Sequence, residues 1–109
     1  MAHDDMHVVM YKILSYLYKC MKAGDRPDMR MVSAEVLGIN ERYHAHIVKE
    51  LIDRGFVMGY RVTEVPGHTS VMAQDPYITM AGVEFLMENS MMKKALTFLT
   101  ATKDALPFL

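Results

Sequence analysis

The sequence predicts a mainly α protein carrying one small β-hairpin. Three features point there: a helical stripe of apolar residues from Met10 to Met21, a set of caps and glycine stops between Ser33 and Gly55, and a β-branched and aromatic run from Phe56 to Val62 that leads to Pro66-Gly67. In the first helix Met10, Ile13, Leu14, Leu17, Tyr18 and Met21 follow the i, i+3, i+4, i+7 spacing of a single face. Asp4 or Asp5 can accept the free N–H groups at its start, and Lys19 and Lys22 sit near its carbonyl end before Gly24. Gly24-Asp25-Arg26-Pro27-Asp28 reads as a loop.

Ser33 before Ala34-Glu35-Val36-Leu37 and then Gly38 marks a short helix with a hydroxyl cap and a glycine stop. Asn40 opens the run Glu41 to Arg54, and Gly55 can take the left-handed conformation that closes it. A short helix, a tight turn and a longer helix are the outline of a helix-turn-helix. The run from Phe56 to Val62 pairs with Thr69 to Met72 across Pro66-Gly67, as a hairpin whose loop is longer than two residues. Asp75-Pro76 marks the exit, because the residue before proline is pushed out of the helical region. Thr79 caps Met80 to Glu88 with Val83, Leu86 and Met87 on one side, and a last helix carries Met92, Ala95, Leu96 and Leu99 on a face before Pro107.

A helix-turn-helix followed at once by a hairpin is the winged helix-turn-helix order, with the hairpin as a wing beside the second helix of the motif. Its specific marks are Val36-Leu37-Gly38-Ile39-Asn40-Glu41, Ile47-Val48 with Leu51, Arg54-Gly55-Phe56-Val57-Met58-Gly59, and Ile78-Thr79-Met80-Ala81-Gly82-Val83-Glu84-Phe85-Leu86-Met87-Glu88-Asn89. On these residues, which span almost the whole chain, the sequence resembles the YjcQ-like family of small, prophage-associated winged-helix proteins. It departs from the family in a long wing segment, Thr63 to Ala73. The resemblance implies a winged helix of phage descent in the cytoplasm.

At 109 residues the chain holds one domain over 1–109, with 91–109 a C-terminal helix and tail. Half of the residues are apolar (51%) and the formal charge is -1, which excludes a disordered chain, a polybasic arm and an acidic tail. The single cysteine, Cys20, removes intramolecular disulfides and thiolate-rich zinc frameworks, in keeping with a reducing cytoplasm. No signal peptide is read in MAHDDMH, and no run approaches the roughly 18 apolar residues that span a bilayer, so no membrane partner is expected. Most of the twelve methionines are expected in the core, the alternative being an adaptable Met-rich surface.

At about 100° per residue, Ile47, Leu51, His44 and Val48 share one arc of the helix that opens at Asn40, leaving Arg42, His46, Lys49 and Asp53 outward with Ala45 at the border. In a winged helix this outward side enters the major groove of DNA. Arg42, Ala45, His46 and Lys49 are therefore the expected base-facing residues, and Ser33, Asn40, Arg61 and Thr69 the backbone contacts. The plain alternative is the solvated side of an amphipathic helix, and Asp53 favours it. Arg61 is the wing's cation, countered by Glu64, and over residues 1–61 nine Lys or Arg meet eight Asp or Glu, so charge supports at most weak or partner-assisted DNA binding.

No metal or cofactor is expected. His44 and His46 point about 200° apart on a helix, which leaves His44 as a packed inner residue. Cys20 lacks the base that a nucleophile needs, the glycines form no phosphate loop, and Asp4-Asp5 are explained by capping, so no enzyme is read. The expected function is non-catalytic, sequence-specific or regulatory binding of double-stranded DNA. The alternative is a protein-interaction module that kept the scaffold and lost the basic surface.

Residues 91–109 carry more apolar surface than a final helix of a small domain readily buries, so a two-fold homodimer built on Met92, Leu96, Phe98 and Leu99 is expected. The alternative folds that helix back beside Met10 to Met21. Sedimentation at micromolar concentration separates them: a dimer that dissociates when 91–109 are deleted is expected, and a monomer mass, or a dimer indifferent to the deletion, overturns the pairing.

Overall fold

Helix α1 (Met6–Ala23) forms the centre of the fold, buried almost all round between Val8 and Leu14. In the computed structural model, which describes residues 2–89, it is followed by a 3-10 turn (Met29–Val32), α2 (Ala34–Leu37), α3 (Glu41–Asp53), β1 (Val57–Val65), β2 (His68–Ile78) and α4 (Met80–Glu88). This is a mainly α fold with one antiparallel two-stranded hairpin, in winged helix-turn-helix order. The C-terminal helix and its pairing residues Met92, Leu96, Phe98 and Leu99 lie outside the described residues.

The local signals set the helix ends. Ser33 Oγ accepts from Val36 N at 3.3 Å, Asn40 Oδ1 from Tyr43 N at 2.8 Å, and Thr79 Oγ1 from Gly82 N at 3.2 Å. Each cap satisfies an otherwise orphaned N–H and contributes about 1 kcal/mol. Asp5 stands at the N-cap of α1 in extended geometry without a side-chain cap bond. The loop after Gly24 is held to α1 by Tyr16, whose hydroxyl accepts from Asp28 N at 2.8 Å, and it runs into a 3-10 turn that the sequence pattern did not reveal.

The core is built from branched aliphatics: Val8, Val9, Ile13, Leu14 and Leu17 of α1 meet Val32, Leu37, Ile47, Val48, Leu51, Val57, Ile78 and Leu86. Fully burying a side chain of this size contributes roughly 1.5–3 kcal/mol. The buried surface of α1 is wider than its sequence stripe because α3, β2, α4 and the 3-10 turn all pack on it. Even Lys12 is buried, and desolvation lowers its ammonium pKa below 10.5. Toward the far end of the helix the stripe emerges, with Tyr18 half-buried and Met21 exposed.

Three further expectations are corrected. The core is not methionine-filled: of the nine methionines among the described residues, Met21, Met31, Met58, Met72, Met80 and Met87 are exposed, and of these Met87 was expected beside Val83 and Leu86. The hairpin loop is the two residues Pro66 and Gly67, closed by the pair Val65↔His68. Polar Thr63 and Glu64 look like loop in sequence, yet they pair with Ser70 and Thr69, because a two-stranded ribbon tolerates polar side chains on both faces. Nor does β2 end at Asp75-Pro76. It continues to Ile78, and the register shift between Met58 and Tyr60 accommodates the proline opposite it.

That shift depends on Gly59, which has φ 85° and whose missing Cβ would collide with the Asp75 carbonyl oxygen. Gly82 is similarly constrained: a Cβ there would stand 2.5 Å from Phe56 O and 2.6 Å from Ile78 Cγ1. At Gly67, φ is 79° but the space is open. Gly59→Ala and Gly82→Ala are each expected to lower stability by about 2–4 kcal/mol, and Gly67→Ala by about 1 kcal/mol. Urea unfolding of the three variants checks this, and equal losses at all three would contradict close approach as the cause.

Candidate nucleic-acid interface

The inner side of α3 is consumed by Ile47, Val48 and Leu51, which are buried against the core. That anchoring turns Arg42 and His46 out to solvent and leaves Ala45 and Lys49 half-buried at the border. His44 is packed as expected: its Nε2 lies 2.8 Å from the Val32 carbonyl oxygen, which fixes Nε2 as the donating nitrogen and ties α3 to the end of the 3-10 turn. At the other edge, Tyr43 donates its hydroxyl to Asp4 O at 2.8 Å.

The hairpin stands beside this helix. Its inner face follows the two-residue alternation of a strand, so Tyr60, Val62 and Glu64 share a side with their partners Ala73, Val71 and Thr69. Between that face, α3 from Glu41 to Lys49 and the start of α2 lies an open groove of about 1110 Å³. Ser33, Arg42, Ala45, His46, Lys49 and Thr69 all line it, so six residues expected at a DNA interface from separate segments converge. Asn40 and Arg61 are not among its lining. Asn40 spends its carbonyl oxygen on the α3 cap, and Arg61 pairs with Met72 on the opposite face of the hairpin.

The electrostatics differ from the sequence expectation. Glu64 does not counter Arg61. It reaches across the groove to Lys49 Nζ at 3.3 Å, while Asp53, one turn along α3, holds the same ammonium at 2.8 Å. Hydrogen bonding to Asp53 and then to Glu64 raises the Lys49 pKa above its ordinary value of 10.5. The groove's formal charges balance, Arg42 and Lys49 against Glu41 and Glu64, with three imidazoles, His44, His46 and His68, along the same lining. Among the described residues no group of three or more His, Cys, Asp or Glu comes together to hold a metal ion, and no helix is long and apolar enough to cross a membrane.

Tyr60 escaped the sequence reading. It lines the groove, its hydroxyl oxygen is shielded from solvent without a hydrogen-bond partner, and burial raises its pKa well above the usual phenol value. Strand alternation could have placed it on one face with Glu64, but not next to α3.

A helix-turn-helix whose longer helix and wing flank an open groove defines the class of this protein as a winged helix-turn-helix chain. More narrowly, it belongs to the YjcQ protein family, whose profile matches residues 11–105. No curated protein and no solved structure shows significant similarity to the chain.

Because the Lys49 pKa is raised in the fold, the stabilisation from its pairing is complete below the ordinary lysine pKa and is lost as pH rises through the folded value. An NMR titration of the Lys49 ammonium is expected to show a midpoint above that of exposed lysines. It should drop most in Asp53→Asn and less in Glu64→Gln. No change in either variant would contradict the ion pairs.

Proposed function

We propose that the chain is a non-catalytic, regulator-type DNA-binding protein of the cytoplasm, of phage descent as the family resemblance implies, and that it lays α3 in the major groove of double-stranded DNA with the wing alongside. The observation that carries this reading is the convergence of Ser33, Arg42, Ala45, His46, Lys49 and Thr69 on one groove between α3 and the wing. Arg42, exposed near the start of α3, offers a fork of donors that fits guanine O6 and N7. Ala45 leaves room for a thymine methyl, His46 can donate to or accept from a base edge, and Lys49 meets phosphate. The Ser33 and Thr69 hydroxyls flank the groove as backbone contacts, and Asn40, outside the lining, offers a backbone contact from the start of α3. Arg61 contacts backbone only from the wing's far side.

A second reading is a protein-interaction module. It is favoured by the balanced charge of the groove and by the six exposed methionines, whose flexible thioethers suit an adaptable contact surface.

Fluorescence anisotropy with labelled duplex, at rising salt, separates the two. For a DNA binder log affinity falls linearly with log salt, and Lys49→Ala makes the slope shallower by about 0.9. On a sequence selected from a random duplex library, Arg42→Ala is expected to cost about 1–3 kcal/mol and to relax the preference for one base pair. No retention of duplex at low salt would overturn the proposal in favour of the interaction module.

A further inference from the structure

Two features of the groove are unexplained by a wing that merely stands beside α3. Lys49 is the cation best placed to meet a phosphate, yet a wing carboxylate already occupies it: Glu64 Oε1 lies 3.3 Å from its Nζ across the groove. A carboxylate and a phosphodiester each offer one negative charge spread over two acceptor oxygens, so Glu64 holds the place that a phosphate would take. The pair is half-exposed, with the Glu64 side chain 56% accessible, so its net hold is small and exchange for another anion is easy.

The second feature is Tyr60, on the same face of β1 as Glu64. Its hydroxyl is shielded and has no hydrogen-bond partner. A buried donor without an acceptor disfavours the arrangement that shields it, and an outward movement of the wing from α3 would let that hydroxyl meet an acceptor. The ion pair that keeps the wing close and the hydroxyl that gains from its opening thus lie on one strand and line one groove.

Resting on the DNA-binding reading, we propose that the sugar-phosphate strand of bound duplex enters between the wing and α3, that one phosphate displaces the Glu64 carboxylate from Lys49 Nζ, and that an oxygen of the same strand accepts a hydrogen bond from Tyr60 Oη. Glu64 is then an internal stand-in for phosphate that weakens binding until duplex replaces it. Tyr60 is a backbone-contacting residue that becomes available only when the wing opens. The exchange moves no covalent bond. Lys49 trades one oxyanion for another, and the released carboxylate turns to water.

The test measures duplex affinity against salt, together with thermal unfolding, for the full chain, Glu64→Gln and Tyr60→Phe. Glu64→Gln is expected to bind duplex roughly threefold tighter or more at low salt and to steepen the salt slope, because Lys49 then keeps only Asp53 as a partner on its own helix and one repelling charge is gone from the groove. Tyr60→Phe is expected to lose roughly tenfold in affinity without any fall in thermal midpoint, since the hydroxyl has no bond to lose in the free protein. Either variant binding with wild-type affinity and slope overturns the proposal. So does a Tyr60→Phe loss of affinity matched by a loss of thermal stability, which would mean that the hydroxyl is a structural group already bonded in the free protein. A wild-type chain that binds no duplex at low salt instead overturns the DNA-binding reading itself.

Discussion

Burial of α1 is the constraint on which the rest of the structure depends. Val9 and Leu14 are wholly inaccessible, and the helix is covered by α3, β2, α4 and the 3-10 turn. A helix apolar nearly all round cannot lie on a surface, so its neighbours must close around it. Once they do, little freedom remains. Ile47, Val48 and Leu51 of α3 have to point at α1, which leaves Arg42 and His46 no direction but outward. The candidate interface is therefore a by-product of the core: the exposed side of α3 is defined by what its other side buries.

The wing is positioned from its base rather than its tip. Val57 and Ile78, a cross-strand pair, are both buried. Thr79 joins the end of β2 to the turn after α3: its N–H donates to Phe56 O at 2.9 Å, and its hydroxyl donates to the Gly55 carbonyl. The rings of Phe56 and Phe85 pack 5.1 Å apart, bringing α4 against the same junction. Val57 and Ile78 are buried and the two rings half-buried, whereas the cross-groove pair of Lys49 and Glu64 is open to solvent and holds only weakly. A firm base with a weakly tethered blade can vary the width of the groove without disturbing the core.

The charge balance of that groove bears on what it could hold. A strongly basic surface would attract any nucleic acid, while balanced groups leave recognition to geometry and to exchange of partners. Lys49 between Asp53 and Glu64 is one such arrangement, and the exposed methionines on the hairpin and α4 add surface that adapts rather than selects. Membership of the YjcQ family extends over 11–105 and so takes in the whole of this groove.

Much of the fold was legible in the sequence because its signals are local. Ser33, Asn40 and Thr79 cap helices through bonds spanning three residues, and Gly24, Gly38 and Gly55 stop them with positive φ, so each can be read from a short window. The outward residues of α3 followed from helical period alone. The hairpin's length did not, since Thr63, Glu64, Asp75 and Pro76 carry loop-like chemistry, and only pairing with an opposite strand, with a bulge at Gly59, makes them ladder positions. Six of the nine methionines among the described residues went outward, and only Met10 is buried, because branched side chains fill most of the core. The candidate site divides in the same way. The residue types of the groove were set by the sequence, but its closure by Glu64 on Lys49, the carbonyl that holds His44 and the unpartnered hydroxyl of Tyr60 arise between segments distant in the chain. No periodicity or cap reports such contacts, because they exist only after α1 has drawn α3 and the hairpin together.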